Sequence, residues 1–166
     1  FIPRVFNSFF PCISGEISHH VQSFRKYKGE QCTIFMHNDW LIQKNIVVIG
    51  GTGGMGLSAA KAFINSGAGV VVVGRKKETC AQAQQELGDK AIVLCGDATE
   101  PETAKKAIDT CANHFGGFHG LYHVAGGSGR RMGDGPLHEL TLEGWNKTFE
   151  LNLTSLMLSN QSAVQW

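Results

Sequence analysis

The residues best placed to do chemistry in this chain are the glycines between positions 50 and 56, which follow a short apolar run at Ile46–Ile49. Glycine permits a sharp turn and lets backbone amides come close to a phosphate, and a following helix aims the positive end of its dipole at that phosphate. We therefore predict that this segment binds the pyrophosphate of a dinucleotide. The residues of this predicted phosphate loop are Gly50, Gly51, Thr52, Gly54, Met55 and Gly56.

The same segment fits three glycine spacings. Gly51, Gly53 and Gly56 give G-x-G-x-x-G. Gly50 and Gly56 give G-x-x-x-G-x-G when Gly54 is the middle glycine, and G-x-x-G-x-x-G when Gly53 is the middle glycine. A glycine loop alone is a weak signal, so residues farther along the chain have to decide between these spacings.

A positive side chain follows the second predicted strand, where an acidic residue would hold the ribose 2′-hydroxyl of NAD. The sequence there is Gly74-Arg75-Lys76-Lys77 and contains no carboxylate. A guanidinium at Arg75 suits a bidentate contact with a 2′-phosphate, and a neighbouring lysine adds positive charge. We therefore predict NADP(H) as the cofactor in preference to NAD(H). The alternative is that Arg75 belongs to a solvated first turn of the next helix.

A carboxylate and a backbone amide follow the third predicted strand, in the segment Gly96-Asp97-Ala98-Thr99. Nucleotides bind at the carboxyl ends of the strands in open α/β sheets. We predict that Asp97 and Ala98 lie at the adenine end of the cofactor, with Asp97 accepting from the adenine amino group. An equally weighted alternative is that Asp97 forms an Asx turn before the next helix.

The elements that position these residues alternate along the chain from Lys44 onward, and this alternation predicts parallel strands joined by right-handed crossovers. Continuous apolar runs are expected when helices cover both faces of a sheet. The predicted fold class is α/β, a Rossmann-like doubly wound parallel sheet truncated after about four strands and the fourth helix. The predicted strands are Ile46–Ile49, Val70–Val73, Ala91–Leu94 and Leu121–Val124.

Capping residues mark two of the helices. Thr99 and Glu102 have the spacing of a capping box at the start of the third helix. The fourth helix is predicted to begin after Thr141, with Trp145 and Phe149 on one face.

Composition favours a single globular domain that binds a small molecule. The chain has 166 residues, of which 42% are hydrophobic and 17% charged, and a net charge of +1. We therefore expect no nucleic-acid partner and no membrane span. The five cysteines are odd in number and form no C-x-x-C pair, which argues against a disulfide framework and against a bound metal. Cys95 lies in a strand-like run and is predicted to be the core cysteine.

Residues 1–35 differ in composition from the rest of the chain, because they hold six of the ten phenylalanines and only two acidic residues. They show no sustained helical or strand period. We predict a non-core N-terminal extension at 1–35, from upstream translation or a fragment artefact, and a partial nucleotide-binding domain at 36–166, with Met36 as the candidate start. A cytoplasmic location is expected. An organelle-targeting leader is the alternative, although Pro3 and Pro11 interrupt an amphipathic helix there.

Three later segments complete a family pattern. They are Gly120-Leu121-Tyr122-His123-Val124-Ala125-Gly126, Leu140-Thr141-Leu142-Glu143-Gly144-Trp145 and Phe149-Glu150-Leu151-Asn152-Leu153. Together with the glycine loop, they resemble the N-terminal portion of the classical short-chain dehydrogenase/reductase family over residues 44–166. In that family the fourth strand ends in N-N-A-G, a helix opens near Thr-x-x-x-Trp, and an asparagine lies within that helix. The resemblance implies cofactor contacts by His123, Ala125 and Gly126, with His123 contributing its main chain.

The chain departs from the family pattern at two places. His123-Val124 replaces the paired asparagines, and Ile49 replaces the threonine that usually precedes the glycine loop. Side-chain hydrogen bonds between the loop and the fourth strand are therefore expected to be missing. The sequence His-x-Ala also resembles the extended relatives of the family, which keeps their glycine spacing as a minority alternative.

The resemblance implies an NADP(H)-dependent oxidoreductase that transfers a hydride between the nicotinamide and a small alcohol or carbonyl substrate. Four side chains do this chemistry in the family: an asparagine that holds a proton-relay water, a serine, and a Tyr-x-x-x-Lys pair. Asn152 matches the asparagine. The two tyrosines of this chain, Tyr27 and Tyr122, are not followed by lysine at that spacing. We therefore expect these 166 residues alone to be inactive.

We expect the complete protein to be a homo-oligomer. Two other functions stay open: a non-catalytic nucleotide-binding module, and an extended-type epimerase or dehydratase that acts on a nucleotide sugar.

Overall fold

A computed structural model describes residues 39–166. It contains one parallel sheet of four strands, and these strands lie within one residue of the predicted ones at each end. They are β1 (Asn45–Ile49), β2 (Gly69–Gly74), β3 (Ala91–Cys95) and β4 (Gly120–His123). The predicted extension at 1–35 and the candidate start Met36 lie outside the described residues.

At least one helix follows each strand, as the alternating pattern predicts. The helices are α1 (Gly54–Asn65), α2 (Lys77–Leu87), α3 (Pro101–Phe115), α4 (Leu142–Phe149) and α5 (Ser155–Gln165). A five-residue π-helical segment, Glu150–Thr154, joins α4 to α5, so the predicted fourth helix continues through a π-helical turn. No helix among residues 39–166 combines the length and apolar character that a membrane crossing requires.

The sheet buries both of its faces. Val48 and Val72 pack with Ala60 of α1 on one face, whereas Val47 packs with Ile108 of α3 on the other face. Successive side chains of a strand point to opposite faces, so two layers of helices leave no polar face on the central strands. The predicted α/β doubly wound class is therefore confirmed.

The strand order is β3-β2-β1-β4, so β1 lies between β2 and β4. The register pairs Ile49 of β1 with Val73 of β2 on one side and with His123 of β4 on the other. The chain crosses from β1 to β2 on one side and reaches β4 on the opposite side. A topological switch point therefore lies between β1 and β4, at the carboxyl ends of the strands.

Two helix starts were predicted from caps, and one prediction is wrong. Thr141 caps α4 as predicted, because its Oγ1 accepts a hydrogen bond from the Gly144 amide at 3.0 Å. In α3, however, the residue before the first helical turn is Glu100, and no side chain caps it. Thr99 instead donates through its amide and hydroxyl to the Oδ1 atom of Asp97, at 3.0 and 2.8 Å. Thr99, the residue predicted to cap α3, is therefore hydrogen-bonded to the Asp97 carboxylate instead of capping the helix.

The prediction that Cys95 is a core residue is also wrong. Cys95 is exposed, whereas Cys80 and Cys111 are buried. Cys95 is the last residue of β3, an edge strand, and it lies at the open carboxyl end of the sheet. A continuous apolar run in the sequence does not show which of its residues a neighbouring helix covers, so it does not reveal that the last residue, Cys95, is exposed.

Candidate functional site

A cleft opens at the switch point, and residues that follow all four strands line it. Chain segments that are far apart in sequence therefore meet where ligands bind in open α/β sheets. The predicted site residues that line the cleft are Gly50, Thr52, Arg75, Asp97, Ala98, Ala125 and Gly126.

Other predicted site residues lie beside or beneath the cleft. Gly51 is buried under the loop, where a Cβ atom would lie 2.8 Å from the Cγ1 atoms of Val48 and Val72. Gly56 is also buried, while Gly54 and Met55 are exposed at the start of α1. Gly51 and Gly56 therefore permit close packing of the loop, whereas Gly54 and Met55 present their backbone to the surface.

The backbone geometry of the glycine loop distinguishes the three possible spacings. Gly50 has a φ of +89°, and a Cβ atom there would lie 2.6 Å from the Ala125 nitrogen. A Cβ atom on Gly56 would overlap the carbonyl oxygen of Gly50, and Gly54 has a φ of +50°. Gly53 has an extended φ of −172° and open space around it, so this position does not require glycine. The geometry thus requires glycine at 50, 54 and 56, which is the G-x-x-x-G-x-G spacing.

The N-terminus of α1 has no side-chain cap from residues 39–166, and its N-cap position is Gly53. The first turn of α1 also carries no acidic residue. The first amides of a helix lack intrahelical partners, and the helix dipole adds positive potential there. This end of α1 therefore has the backbone chemistry of an anion-binding site.

Arg75 is exposed at the edge of the cleft, directly after β2. The glycine loop packs closely against this turn, since a Cβ atom on Gly74 would overlap the Thr52 side chain. The Thr52 hydroxyl also accepts from the Thr79 hydroxyl of α2 at 3.5 Å. The loop and the turn that carries Arg75 are therefore held together by Thr52.

Asp97 lies in the cleft as an ionised carboxylate. Its partial burial raises the pKa, but the hydrogen bonds from Thr99 and the positive charges of Arg75 and Lys147 outweigh that effect. The net result is a pKa below the usual range for aspartate. The Asx turn that was one of the two predicted roles is present, and Asp97 also lines the cleft.

His123 points away from the cleft and into α5. Its Nε2 lies 3.0 Å from the carbonyl oxygen of Ala125, which can only accept, so Nε2 carries the proton. Its Nδ1 then accepts from the Ser159 hydroxyl at 2.8 Å. The Ser155 hydroxyl lies 3.4 Å from Nε2, and both serines are buried. Burial lowers the pKa of His123, the hydrogen bond to Ala125 opposes this, and the net shift favours the neutral ring.

Main-chain hydrogen bonds link the end of β4 to the glycine loop. The amides of Val124 and Ala125 both donate to the carbonyl oxygen of Ile49, at 2.9 and 3.0 Å. These bonds join main-chain atoms, so they do not need the threonine and asparagine side chains that the family pattern has at these positions. The departures at Ile49, His123 and Val124 therefore leave the backbone connection between β1 and β4 intact.

Asn152 lies in the π-helical segment and binds the chain that leaves β4. Its Oδ1 accepts from the Gly127 amide at 3.2 Å. Its Nδ2 donates to the carbonyl oxygens of Gly127 and Thr148, at 2.5 and 2.7 Å. Both amide hydrogens of Asn152 are thus used, one on the segment after β4 and one on the preceding turn of its own helix, while Oδ1 keeps room for a second donor.

The sequence analysis missed the serines and threonine that support this site. The Thr148 hydroxyl accepts from the Gly129 amide at 2.9 Å and donates to Asp134 at 2.8 Å, so α4 anchors the loop after β4. Ser155 and Ser159 are four residues apart and share one helix face, which is a sequence signal for a buried small-polar stripe. That spacing does not indicate that His123 of β4 is the residue that the two serines contact.

Comparisons with known proteins agree with this geometry. The family model described as short chain dehydrogenase matches residues 44–165. The 3-alpha-(or 20-beta)-hydroxysteroid dehydrogenase of Mycobacterium tuberculosis is 33% identical over 125 residues, which are 75% of this chain and 46% of that protein. The cis-4-hydroxycyclohexanecarboxylate dehydrogenase of Sinomonas cyclohexanicum is 29% identical over 72% of this chain and 47% of that protein.

A solved structure supports the same assignment. The crystal structure of a short chain dehydrogenase from Bacillus anthracis matches with a TM-score of 0.66 and 26% identity, over 74% of this chain and 51% of that one. The chain spans about half the length of the curated relatives it matches. Because the family model covers most of the chain and the fold agrees, the chain belongs to the short-chain dehydrogenase family.

Proposed function

We propose that the complete protein is an NADP(H)-dependent oxidoreductase that transfers a hydride between the nicotinamide and a small alcohol or carbonyl compound. Family membership supports a nicotinamide cofactor and a small-molecule substrate. The observation that carries the NADP(H) preference is the exposed Arg75 at the edge of the cleft, directly after β2. No carboxylate stands at that strand end to bind a free ribose 2′-hydroxyl.

The residues of the cleft fit such a cofactor. The pyrophosphate would occupy the space that Gly50, Gly54 and Gly56 leave clear of side chains, against the open amides of α1. The guanidinium of Arg75 would bind the 2′-phosphate, and Asp97 and Ala98 would lie at the adenine end. This arrangement uses the G-x-x-x-G-x-G spacing, which supports the classical reading over the extended-type epimerase or dehydratase.

The cofactor supplies the hydride, and the protein supplies position and proton transfer. Asn152 holds the Gly127 backbone by donating from Nδ2 to its carbonyl oxygen and accepting at Oδ1 from its amide, so it sets where the chain after β4 passes the cleft. We propose that its free Oδ1 lone pair holds the proton-relay water of the complete enzyme. Neither tyrosine of these 166 residues is followed by lysine at the Tyr-x-x-x-Lys spacing, so the reaction is proposed for the complete protein.

The substrate class is proposed from the names of the relatives. The two relatives described above are named as dehydrogenases of a hydroxysteroid and of a hydroxycyclohexanecarboxylate. Both names describe hydroxy compounds. We therefore propose a secondary alcohol, or the corresponding ketone, as the substrate of the complete protein.

The cofactor preference is tested by titrating the chain with NADPH and NADH, following nicotinamide fluorescence. Replacing Arg75 with alanine should weaken NADPH binding by about ten- to hundredfold, because a charge-assisted hydrogen bond to the 2′-phosphate is lost. NADH binding should stay nearly unchanged. Lys90→Ala is the matched control, since it removes one positive charge from an exposed site outside the cleft.

Equal weakening of NADPH and NADH by Arg75→Ala would contradict the 2′-phosphate assignment. An equal effect of Lys90→Ala would show that only the general positive potential matters. Tight NADH binding with no measurable NADPH binding by the unsubstituted chain would reverse the proposed preference.

A further inference from the structure

Two thiols lie beside the turn that carries Arg75. Cys95 at the end of β3 is paired in register with Gly74 of β2. The Cys95 thiol donates to the carbonyl oxygen of Arg75, with the sulfur 3.2 Å away. The Cys80 thiol of α2 lies 3.4 Å from the carbonyl oxygen of Gly74 and 3.7 Å from that of Leu94. Both sulfurs are therefore held against the same short stretch of adjacent backbone.

The two thiols differ in access to solvent but influence each other directly. Cys80 is buried, whereas Cys95 is exposed. Burial raises the pKa of the Cys80 thiol, and the neighbouring Cys95 raises it further. One thiol can therefore be reached by an oxidant while its neighbour is protected.

We propose that Cys80 and Cys95 form a reversible intramolecular disulfide, which makes the end of β3 a redox modification site. The oxidant is a peroxide such as hydrogen peroxide. The exposed Cys95 thiol is first oxidised to a sulfenic acid, which consumes one peroxide and releases one water. The Cys80 sulfur then attacks the Cys95 sulfur, a second water leaves, and the S–S bond forms. Two thiols lose two electrons and two protons in all, and the peroxide is reduced to two waters.

The disulfide changes the backbone around the predicted 2′-phosphate position. In the reduced protein, the thiols donate to the carbonyl oxygens of Gly74 and Arg75. A disulfide draws the two sulfurs to about 2.05 Å from each other and removes both donors. The turn that positions the Arg75 guanidinium must then rearrange. The effect on cofactor binding rests on the proposed function, whereas formation of the disulfide does not.

The modification itself is tested by treating the 166-residue chain with hydrogen peroxide under native conditions and mapping the non-reduced peptides by mass spectrometry. We expect a cross-linked pair of peptides that contain Cys80 and Cys95, with a mass loss of two hydrogens, and full reversal by dithiothreitol. Cys111 is the internal control, because it is buried and burial raises its pKa to about 11. It should stay reduced.

Two variants separate the steps. Cys95→Ser is a change at an exposed position, so the protein should fold normally and Cys80 should remain reduced. Cys80→Ala should instead leave a sulfenic acid on Cys95 that dimedone traps. Cross-linking of Cys95 to Cys12 or Cys32, or further oxidation of Cys95 while Cys80 stays free, would overturn the proposal.

The consequence is tested by cofactor titration of the same samples. Oxidation should weaken NADPH binding by at least about threefold, in proportion to the cross-linked fraction, and dithiothreitol should restore it. NADPH binding by Cys95→Ser should not respond to peroxide. If the peptide map shows the disulfide but affinity for NADPH is unchanged, the coupling to the Arg75 turn is wrong. If the reduced chain binds no NADPH, the proposed function fails while the mapped disulfide stands.

Discussion

Gly56 is the residue with the tightest steric constraint in the glycine loop. A Cβ atom there would overlap the Gly50 carbonyl oxygen and lie 2.8 Å from Val124 of the neighbouring segment. Both contacts involve groups that the sheet holds in place. A side chain at this position therefore has to move backbone, in contrast to Gly53, which has open space.

This difference gives a stability prediction. Gly56→Ala should lower the free energy of unfolding by about 1–3 kcal/mol, because the overpacked helix start must shift. Gly53→Ala should change it by no more than about 0.5 kcal/mol, since the extended backbone suits alanine. Urea unfolding followed by tryptophan fluorescence measures both. Equal losses at the two positions would show that the loop uses a different glycine spacing.

Single residues show where sequence reasoning succeeds and where it stops. The strand-end position of Arg75 follows from the spacing alone, because β2 ends where its apolar run ends. The roles of Asp97 and Thr99 depend on which of two local hydrogen-bonding patterns wins, and both patterns suit the same residues. The sequence alone does not show which of the two hydrogen-bonding patterns is the more stable, because their energies differ by little.

At the scale of elements, the junction between β4 and α5 depends on contacts that span the chain. His123 of β4 accepts from Ser159 of α5, thirty-six positions later. In the neutral ring, Nε2 donates to the carbonyl oxygen of Ala125 and Nδ1 accepts from the Ser159 hydroxyl. Protonation would place a positive charge in a partly buried site, and burial disfavours that charge.

The stability of this junction should depend on pH. Burial lowers the pKa of His123 below its ordinary value of 6.5, so the unfolded chain takes up the proton first as the pH falls. The contribution of His123 is therefore fully present above that ordinary value and is lost as the pH falls through the lowered folded-state pKa. The free energy of unfolding should fall more between about pH 8 and about pH 5 in the unsubstituted chain than in His123→Asn.

Urea unfolding across that pH range checks the difference, and His138→Asn is the matched control. His138 is exposed and lies 3.5 Å from the carboxylate of the adjacent Glu139. The His138 variant should keep the pH dependence of the unsubstituted chain. A His123→Asn variant with the same pH dependence would mean that the ring is not held neutral at the junction.

Some features of the helices can be predicted from the sequence, and others cannot. The cap at Thr141 was predictable because its partner, the Gly144 amide, is three residues away. The π-helical segment at Glu150–Thr154 was not, since no local residue type marks it. It coincides with the place where Asn152 must reach the Gly127 backbone, and π-helical turns are frequent at functional sites.

At the scale of the whole molecule, the sequence contains most of the architecture. Buried parallel strands read as continuous apolar runs, so four strands and their alternation with helices predict the doubly wound sheet. The strand order and the switch point then fix where the cleft lies. The exposure of Cys95 and the partners of His123 could not be predicted, because each depends on how distant elements pack together. The homo-oligomer expected for the complete protein remains a prediction.

A crystal structure of the chain with NADPH would show whether this cleft binds NADP(H) through the glycine loop and Arg75. We expect pyrophosphate oxygens within hydrogen-bonding distance of the backbone amides at the start of α1. We also expect the 2′-phosphate against the Arg75 guanidinium, with the adenine beside Asp97. A cofactor bound away from the cleft, or a 2′-phosphate that makes no contact with Arg75, would show that the proposed binding mode is wrong.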